Sequence, residues 1–403
     1  MKIAIVTHLY PPVPRISGKD YYKSFLPTLA LHDLVKLWPQ QGADVKVFIP
    51  WIYYPKVFEI FKQARLRNKL SNFEKFSLDG VMVYRFPLKK FPRARKIIYA
   101  KKIAYEIINT MKDEKFFPEI VVSHILHPNI VIAHEISTAL DIPFAHVFHY
   151  SDVIEKNKSN YIVDILKKAR GIGFCSFAIK NKFEVLYGSD ILKEKSIFYV
   201  LSGIDKNFIV SQDFIKFKAK KSVKSIITVS KLIKLKNVDT IIKAFAHVKK
   251  SVENIQLFIV GDGPLKKSLK KLAKRLNVSS HTNFLGAQPH NKVIELLRNS
   301  EIFAMVSSPE TFGLVYLEAM ASGCMTIGSK GEGIDGIIKD NVNGFLVEPR
   351  NISELANKFL YIYKMPFEKK LQILENALKT CYNLTLEAVS ISYLTDLKNL
   401  IAK

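Results

Sequence analysis

Two carboxylates eight positions apart, Glu310 and Glu318 in SSPETFGLVYLEAMASG, bracket a stretch with no other charge. Glu318 is the only charged residue between Thr311 and Ser329 and sits in an apolar run that reads as a buried helix. An unpaired carboxylate there costs on the order of several kcal/mol, so it requires a partner or a ligand. Glu310 follows the strand-like run Ile302–Val306 and the loop Ser307–Pro309, close to where the helix should begin. The amides of Thr311, Phe312 and Gly313 are then unpaired donors at a positive helix end, a natural anion site. At ~1.5 Å per residue the two carboxylates stand about 12 Å apart along the helix. One carboxylate at the mouth, an amide cradle and a second carboxylate further in suit an extended polar ligand such as a sugar nucleotide. A purely structural reading competes: Glu310 complements the helix dipole and Glu318 is a core carboxylate neutralised by a lysine.

Other groups converge on the same chemistry. Ser230, Lys231, Lys234 and Lys236 lie just past the strand Ser225–Val229, where cations facing the Glu310 loop would offset two phosphate charges. Gly261-Asp262-Gly263-Pro264 is a tight turn after another buried strand, with Pro at a helix start. Its Gly-x-Gly is weak evidence for phosphate binding and reads mainly as structure. Gly286 could let a base approach the backbone closely. In the first half, His149 and Asp152 in FAHVFHYSD end the strand Phe144–Phe148, and His8 and Gly18 lie in the loop after the first strand. Open sheets bind ligands at such ends. His124, His127 and His134 do not keep metal spacing with a carboxylate, so no metal site is inferred.

The elements that must position these groups alternate along the chain. Strands at Ile3–Val6, Val45–Ile49, Ile120–Ser123, Phe144–Phe148, Gly171–Cys175 and Ile197–Tyr199 are separated by helical stretches such as 20–41 and Asn129–Leu140. The composition breaks near residue 205, and from Phe214 to Val238 there are eight lysines and no acid. The alternation then restarts with strands at Ser225–Val229, Gln256–Val260, Asn283–Leu285, Ile302–Val306 and Met325–Gly328. Helices fall at 237–250 and Pro264–Leu276 between them. The pattern predicts two doubly wound, Rossmann-like α/β domains facing each other across a cleft. Their bounds are 1–205 and 206–383, with a C-terminal helix over 384–403 crossing back to the first domain.

The bulk figures narrow the class. The 403 residues, 48% hydrophobic and 24% charged, are globular, and no apolar run approaches the ~18 residues of a membrane span. Three cysteines, Cys175, Cys324 and Cys381, have no paired spacing, which suits a reducing cytoplasm. The net charge is +25, unevenly spread: Lys89–Lys102, KKFPRARKIIYAKK, carries seven cations and no acid, interleaved with aromatic and aliphatic residues. That composition fits an anionic membrane surface or a lipid-linked acceptor. A general lysine bias is the alternative, with nucleic acid as a less favoured partner.

The chain resembles the retaining glycosyltransferases of family four, also called glycosyl transferases group 1, which have the GT-B fold. The match runs over nearly the whole length. TVSKLIKLKNVDTIIKAF, IVGDGPLKKSLKKLAKRLNV, NFLGAQPHNKVIELLRNSEIF and PETFGLVYLEAMASG follow one another as the family's blocks do, the last with its paired glutamates Glu310 and Glu318. EIVVSHILHPNIVIAHEISTALDIPFAHVFHYSD and YVLSGID are similar to its first-domain and hinge segments. The resemblance implies that Lys231 and Lys236 hold the donor diphosphate, assisted by amides of Gly18, Phe312, Gly313 and Leu314. It implies that Glu318 accepts the ribose hydroxyls, Glu310 binds hydroxyls of the transferred sugar, and His149 positions that sugar.

This chain departs from the family pattern at four places: Lys231 replaces an Arg, Ser230 a Gly, Gly18-Lys19 a Gly-Gly pair, and Met325 a Pro. Lysine keeps the charge but loses the two-pronged grip.

The implied enzyme is a retaining hexosyltransferase of cell-surface polysaccharide or glycolipid synthesis. It takes a UDP-, GDP- or ADP-sugar, a glycan or lipid-linked acceptor, and no metal or other cofactor. It would be cytoplasmic, peripheral on the inner face of the cell membrane, with no nucleic acid partner. The alternatives are a nucleotide-sugar epimerase on the same fold and a basic membrane or nucleic-acid binder with a decayed site.

Overall fold

Short runs rich in Val, Ile and Phe pair into two separate sheets. The computed structural model describes residues 1–13, 29–89, 96–154, 159–221 and 224–402, with the backbone alone for 96–98. Gly18 and residues 90–95 of the basic segment Lys89–Lys102 therefore fall outside the described residues, as does the start of the helix read from residue 20.

The first unit comprises Met1–Cys175, Ile179–Ser202 and Glu387–Lys403. Its strands are β1 (Lys2–Val6), β2 (Asp44–Tyr53), β3 (Glu74–Leu78), β4 (Val81–Lys89), β5 (Ile120–His124), β6 (Phe144–Phe148), β7 (Gly171–Phe174) and β8 (Ser196–Tyr199), in the order β3-β4-β2-β1-β5-β6-β7-β8. All pairs are parallel except β3–β4. Every residue of β5, β6 and β7 is buried, as parallel strands covered on both faces require. Ile3 pairs with Val45 on one side and Ile120 on the other, so the winding reverses between β1 and β5. The hairpin β3–β4 is absent from the sequence reading, although its turn, Asp79-Gly80 with φ of 48° and 84°, carries the usual two-residue signature. Nearly all of the helix Leu386–Ala402 belongs to this unit. Ser390 Oγ donates to the Leu34 carbonyl at 3.0 Å, and the Arg170 guanidinium caps the Leu400 carbonyl at 3.1 Å.

The second unit comprises Ser176–Ala178 and Gly203–Leu386. Strands β9 (Ser225–Val229), β10 (Gln256–Val260), β11 (Thr282–Gly286), β12 (Ile302–Ala304), β13 (Met325–Ser329) and β14 (Phe345–Val347) form an all-parallel sheet, ordered β11-β10-β9-β12-β13-β14. The reversal lies between β9 and β12. Ile226, Leu257, Ile302 and Ile327 of the strands pack with Ile241, Phe245, Leu269 and Phe359 of the covering helices into one core. The helix Lys266–Arg275 buries Leu269, Leu272 and Ala273, leaving its cations outward, as its period predicts.

Among the described residues of this unit, two lysines are buried. Lys218 donates to the carbonyls of Leu297 and Ser322, at 3.1 and 3.0 Å, satisfying acceptors at the ends of the helices His290–Arg298 and Leu314–Ala321. Burial lowers its pKa. Lys370 pairs with Glu301 at 2.6 Å, with side chains only 5% and 6% exposed. Removing one member of such a pair strands the other charge, whereas removing both does not. Lys370→Met should therefore cost about 3–5 kcal/mol in urea unfolding. The double variant Lys370→Met/Glu301→Leu should recover much of that loss.

Candidate active site

The loops that follow β9 and β12 leave the sheet at its reversal point, where an open parallel sheet gathers ligands. Three contacts tie them together. The Ser308 amide donates to the Leu235 carbonyl at 2.9 Å, the Asn237 side chain donates to the Val306 carbonyl at 2.8 Å, and Lys236 Nζ meets Glu310 Oε2 at 2.5 Å. Lys236 and Glu310, read from the sequence as separate ligand groups, here neutralise one another. Lys231 is exposed and has no ion pair among the described residues.

Glu310 is also held from behind. Its amide donates to Glu332 Oε2 at 3.0 Å, Ser308 Oγ donates to Glu332 Oε1 at 2.8 Å, and the Gly333 amide donates to the Glu310 carbonyl. Glu332 was not among the residues singled out from the sequence. Gly333 lies so close to the Thr311 carbonyl that an added Cβ would stand 2.2 Å from it. The helix Leu314–Ala321 begins after Gly313, whose φ of 82° and contact with the Tyr316 ring exclude a side chain. The amides of Phe312, Gly313 and Leu314 donate no hydrogen bond among the described residues. The result is a ready-made anion cradle beside Glu310.

Glu318 corrects the sequence reading in one respect. Its neighbours Leu317 and Ala319 are fully buried, but its own side chain keeps 14% exposure, and its partner is an imidazole rather than a lysine. His290 Nε2 lies 2.9 Å from Glu318 Oε1, with the His290 ring edge-on to Phe208 at 5.1 Å. The second carboxylate oxygen has no partner among the described residues. Thus Glu318 sits at a rim, half supported.

The Gly261–Gly263 turn is structural. Its backbone meets the loop after β9 through Leu232 N to the Asp262 carbonyl at 2.9 Å. A Cβ on Gly261, at φ 129°, would stand 1.9 Å from the Ser230 carbonyl. Gly286, at φ 71°, faces open space apart from Lys266 Nζ at 3.8 Å.

In the first unit, the loops after β1 and β5 leave that sheet's own reversal point and carry polar groups at the strand ends. His8 Nδ1 contacts Asn129 Nδ2 at 3.0 Å, and His124 Nδ1 contacts His149 Nε2 at 3.2 Å. Asp152 accepts from the amides of His149 and Leu126 at 2.8 and 3.1 Å, which fixes the turn that follows β6. Asp152 is itself buried, so it is the anchor of that turn rather than a surface contact. Among the described residues no group of three or more His, Cys, Asp or Glu could hold a metal ion.

Burial keeps these rings neutral, lowering His8 to about 4, with Arg67 adding to the effect, and His149 to about 3, with His8 adding. Burial also raises Asp152 to about 6 against its amide hydrogen bonds. Unfolded histidines titrate near 6.5, so below that pH the unfolded chain takes up protons that the folded one refuses. Their stabilisation is complete above pH 6.5 and is lost as the pH falls towards 4. Asp152 works oppositely, favouring the fold below about 4 and losing that contribution as the pH rises through 6. Between pH 6.5 and 4.5 a His149→Gln protein should lose roughly 2 kcal/mol less stability than the parent, at ~1.4 kcal/mol per pKa unit. Urea titrations at each pH measure the difference.

Comparisons with known proteins bear on the fold and on the second unit's sequence. Residues 211–380, which contain the whole sheet of the second unit, match the family model for glycosyl transferases group 1. The chain is 29% identical over 255 residues to the N-acetyl-alpha-D-glucosaminyl L-malate synthase of Bacillus anthracis, a match that covers 60% of this chain and spans 65% of that protein's length. It is 25% identical over 336 residues to an uncharacterized glycosyltransferase of Methanocaldococcus jannaschii, covering 78% and 88% of the two chains. Among solved structures, an Anabaena protein in complex with UDP superposes with a TM-score of 0.66 at 18% identity, over 99% of this chain and 100% of that one. The two Rossmann-like units are those of the GT-B fold, and residues 211–380, within the second unit, are similar to the glycosyl transferases group 1 family.

Proposed function

We propose that this protein is a glycosyltransferase that moves a hexosyl unit from a nucleoside diphosphate sugar to a glycan or lipid-linked acceptor, with retention of anomeric configuration. One observation carries the reading: Glu310 and Glu318 flank the unpartnered amides of Phe312, Gly313 and Leu314, with Lys231 and Lys236 on the adjoining loop. Donors aimed at an anion between two acceptors match a ligand whose middle is charged and whose ends carry hydroxyls. The relative from Bacillus anthracis is named as an N-acetyl-alpha-D-glucosaminyl L-malate synthase, and the Anabaena structure holds UDP, which supports a nucleotide-sugar donor of the hexosyl class.

In this reading the diphosphate lies over the helix start, where amides and lysines stabilise the charge that develops on the leaving group. No metal is called for, because fixed cations and dipoles meet that charge. Sugar hydroxyls donate to Glu310, and Lys236 turns from Glu310 towards phosphate. Glu318 accepts the ribose hydroxyls on its open oxygen while His290 supports the other. His149 helps to position the sugar. The acceptor attacks from the face that the diphosphate leaves, through an oxocarbenium-like state with no protein base.

The basic, aromatic segment Lys89–Lys102 suggests an acceptor at the inner membrane surface and a peripheral location there. Among the described residues, no helix is long and apolar enough to cross a membrane. Sedimentation with vesicles containing anionic lipid should fall when the charges of this segment are removed; binding indifferent to lipid charge would exclude the docking.

A melting screen against UDP-, GDP- and ADP-sugars should give a shift with one base. Glu318→Ala should weaken that nucleotide about 10- to 100-fold, the loss of a charged hydrogen-bond acceptor. Glu310→Ala should reduce turnover more than nucleotide affinity. Full transfer activity in Glu318→Ala would refute the site. Labelled donor incubated without acceptor separates transfer from epimerisation, which alone would yield an isomerised nucleotide sugar.

A further inference from the structure

We propose a second anion site in the second unit, in the groove between the helices Val238–Val248 and Lys266–Arg275, for a small soluble molecule that carries two phosphoryl groups. The groove is an open pocket of about 760 Å³, a size within the range of small-molecule sites. Lys231, Lys236, Glu310 and Glu318 do not line it, so it is separate from the cradle beside Glu310. Lys234, grouped by sequence with Lys231 and Lys236, lines this pocket.

Charge and shape define the occupant. The lining carries five cations: Lys234, Lys243, Lys271, Arg275 and Arg350. Asp239, the one acid among the lining residues, is paired with Lys243 at 2.8 Å. The other four cations have no carboxylate partner among the described residues. Like charges gathered round one space repel until an anion joins them. A phosphomonoester carries about −1.5 to −2 charge at neutral pH, so two phosphoryl groups match four cations. The buried Leu269 and Leu272, with Leu265 and Ile352, give the pocket an apolar lining that suits the carbon skeleton between them.

One of the cations is set in place before any ligand arrives. Arg350 Nε donates to Asn237 Oδ1 at 3.2 Å. The buried Asn237 is itself held by its Nδ2, which donates to the Val306 carbonyl at 2.8 Å. With Nε engaged in this way, the two terminal nitrogens of the guanidinium remain for a two-pronged contact with a phosphoryl group. The Arg350 backbone has φ of 66°, a left-handed conformation that a side chain enters only at a cost. Strain of that kind clusters at ligand sites.

Titration calorimetry of inorganic pyrophosphate against the full chain tests the site. Two sites per chain are expected, this one and the diphosphate cradle of the proposed function. Lys271→Ala/Arg275→Ala should weaken one of them at least about tenfold, through lost charge-assisted contacts, and leave the other. Lys267→Ala/Lys274→Ala removes the same charge from the same helix at residues that do not line the pocket. At physiological salt, where exposed charges are screened, that control should keep both sites within about twofold of the parent. Equal weakening by the two pairs makes the binding a property of the helix's overall charge. Full binding at both sites in Lys271→Ala/Arg275→Ala places it elsewhere. Either result overturns the site. A parent with one site that Lys271→Ala/Arg275→Ala removes keeps the pocket, and the diphosphate cradle is what fails.

Two further arms identify the ligand. Inorganic phosphate should bind the pocket at least about tenfold more weakly than pyrophosphate; equal affinity overturns the two-phosphoryl ligand. Sedimentation with phosphatidylglycerol vesicles separates a free phosphate ester from a lipid headgroup. Vesicle binding should be the same in both double variants. A fall specific to Lys271→Ala/Arg275→Ala assigns the groove to a lipid headgroup and overturns the soluble ligand.

Discussion

The ion pair between Lys236 and Glu310 is the constraint on which the second unit's site depends. It joins the two loops that diverge at the reversal point of the sheet, and its side chains are only 22% and 12% exposed. Such a pair is too sheltered to be dismissed as a surface contact and too open to be a core device. Its partners are the two groups that a diphosphate and a sugar would each seek. Holding them against one another keeps both in place before a ligand arrives, which lowers the ordering cost of binding. It also means that a ligand must offer both an anion and a hydroxyl to replace what it breaks. A bare phosphate would take Lys236 and strand Glu310; a neutral sugar would do the reverse. Under the proposed reaction, discrimination in favour of the complete sugar nucleotide is thus built into a single contact.

Much of this was legible in the sequence, for identifiable reasons. Parallel strands covered on both faces are continuous apolar runs, so β5, β6, β7 and β9 stood out. The helix start at Gly313 was readable because an apolar helix following a Ser-Pro loop has few other places to begin. What escaped reading was paired at a distance. One oxygen of Glu318 is paired with His290, 28 residues upstream in a different element, and nothing in the local pattern links them. Glu318 also keeps 14% exposure within a run that reads as a buried helix, because an apolar neighbourhood in sequence fixes the flanking faces of a short helix but not its rim. Glu332 was missed for a similar reason: its segment is glycine-rich and polar, and its role is to accept from the backbone of another loop.

The first unit was read less well. The hairpin β3–β4 had a visible turn signal in Asp79-Gly80 but lay inside a segment dominated by charge. Gly18 lies outside the described residues, so its assigned role stands as the resemblance left it. Asp152 was singled out as a possible ligand group, yet its carboxylate is occupied by two amides and the Ser151 hydroxyl. Its contribution is to hold the backbone of His149 in place.

The two units solve the same problem with opposite electrostatics. In the second, charge is kept near the surface, as lysines, carboxylates and helix amides that a polar ligand can engage. In the first, the groups at the reversal point are imidazoles stripped of charge by burial, with the neutral phenol of Tyr393 behind them. A neutral ring is a poor partner for phosphate but a good one for a hydroxyl, because it offers one donor and one acceptor without paying for a buried ion. The division follows from the chemistry of the proposed substrates. The diphosphate needs cations that remain hydrated until it displaces the water, whereas sugar hydroxyls need directional groups whose orientation is settled in advance. Placing cations around the first unit's histidines would therefore weaken the fold there without improving its grip on a sugar.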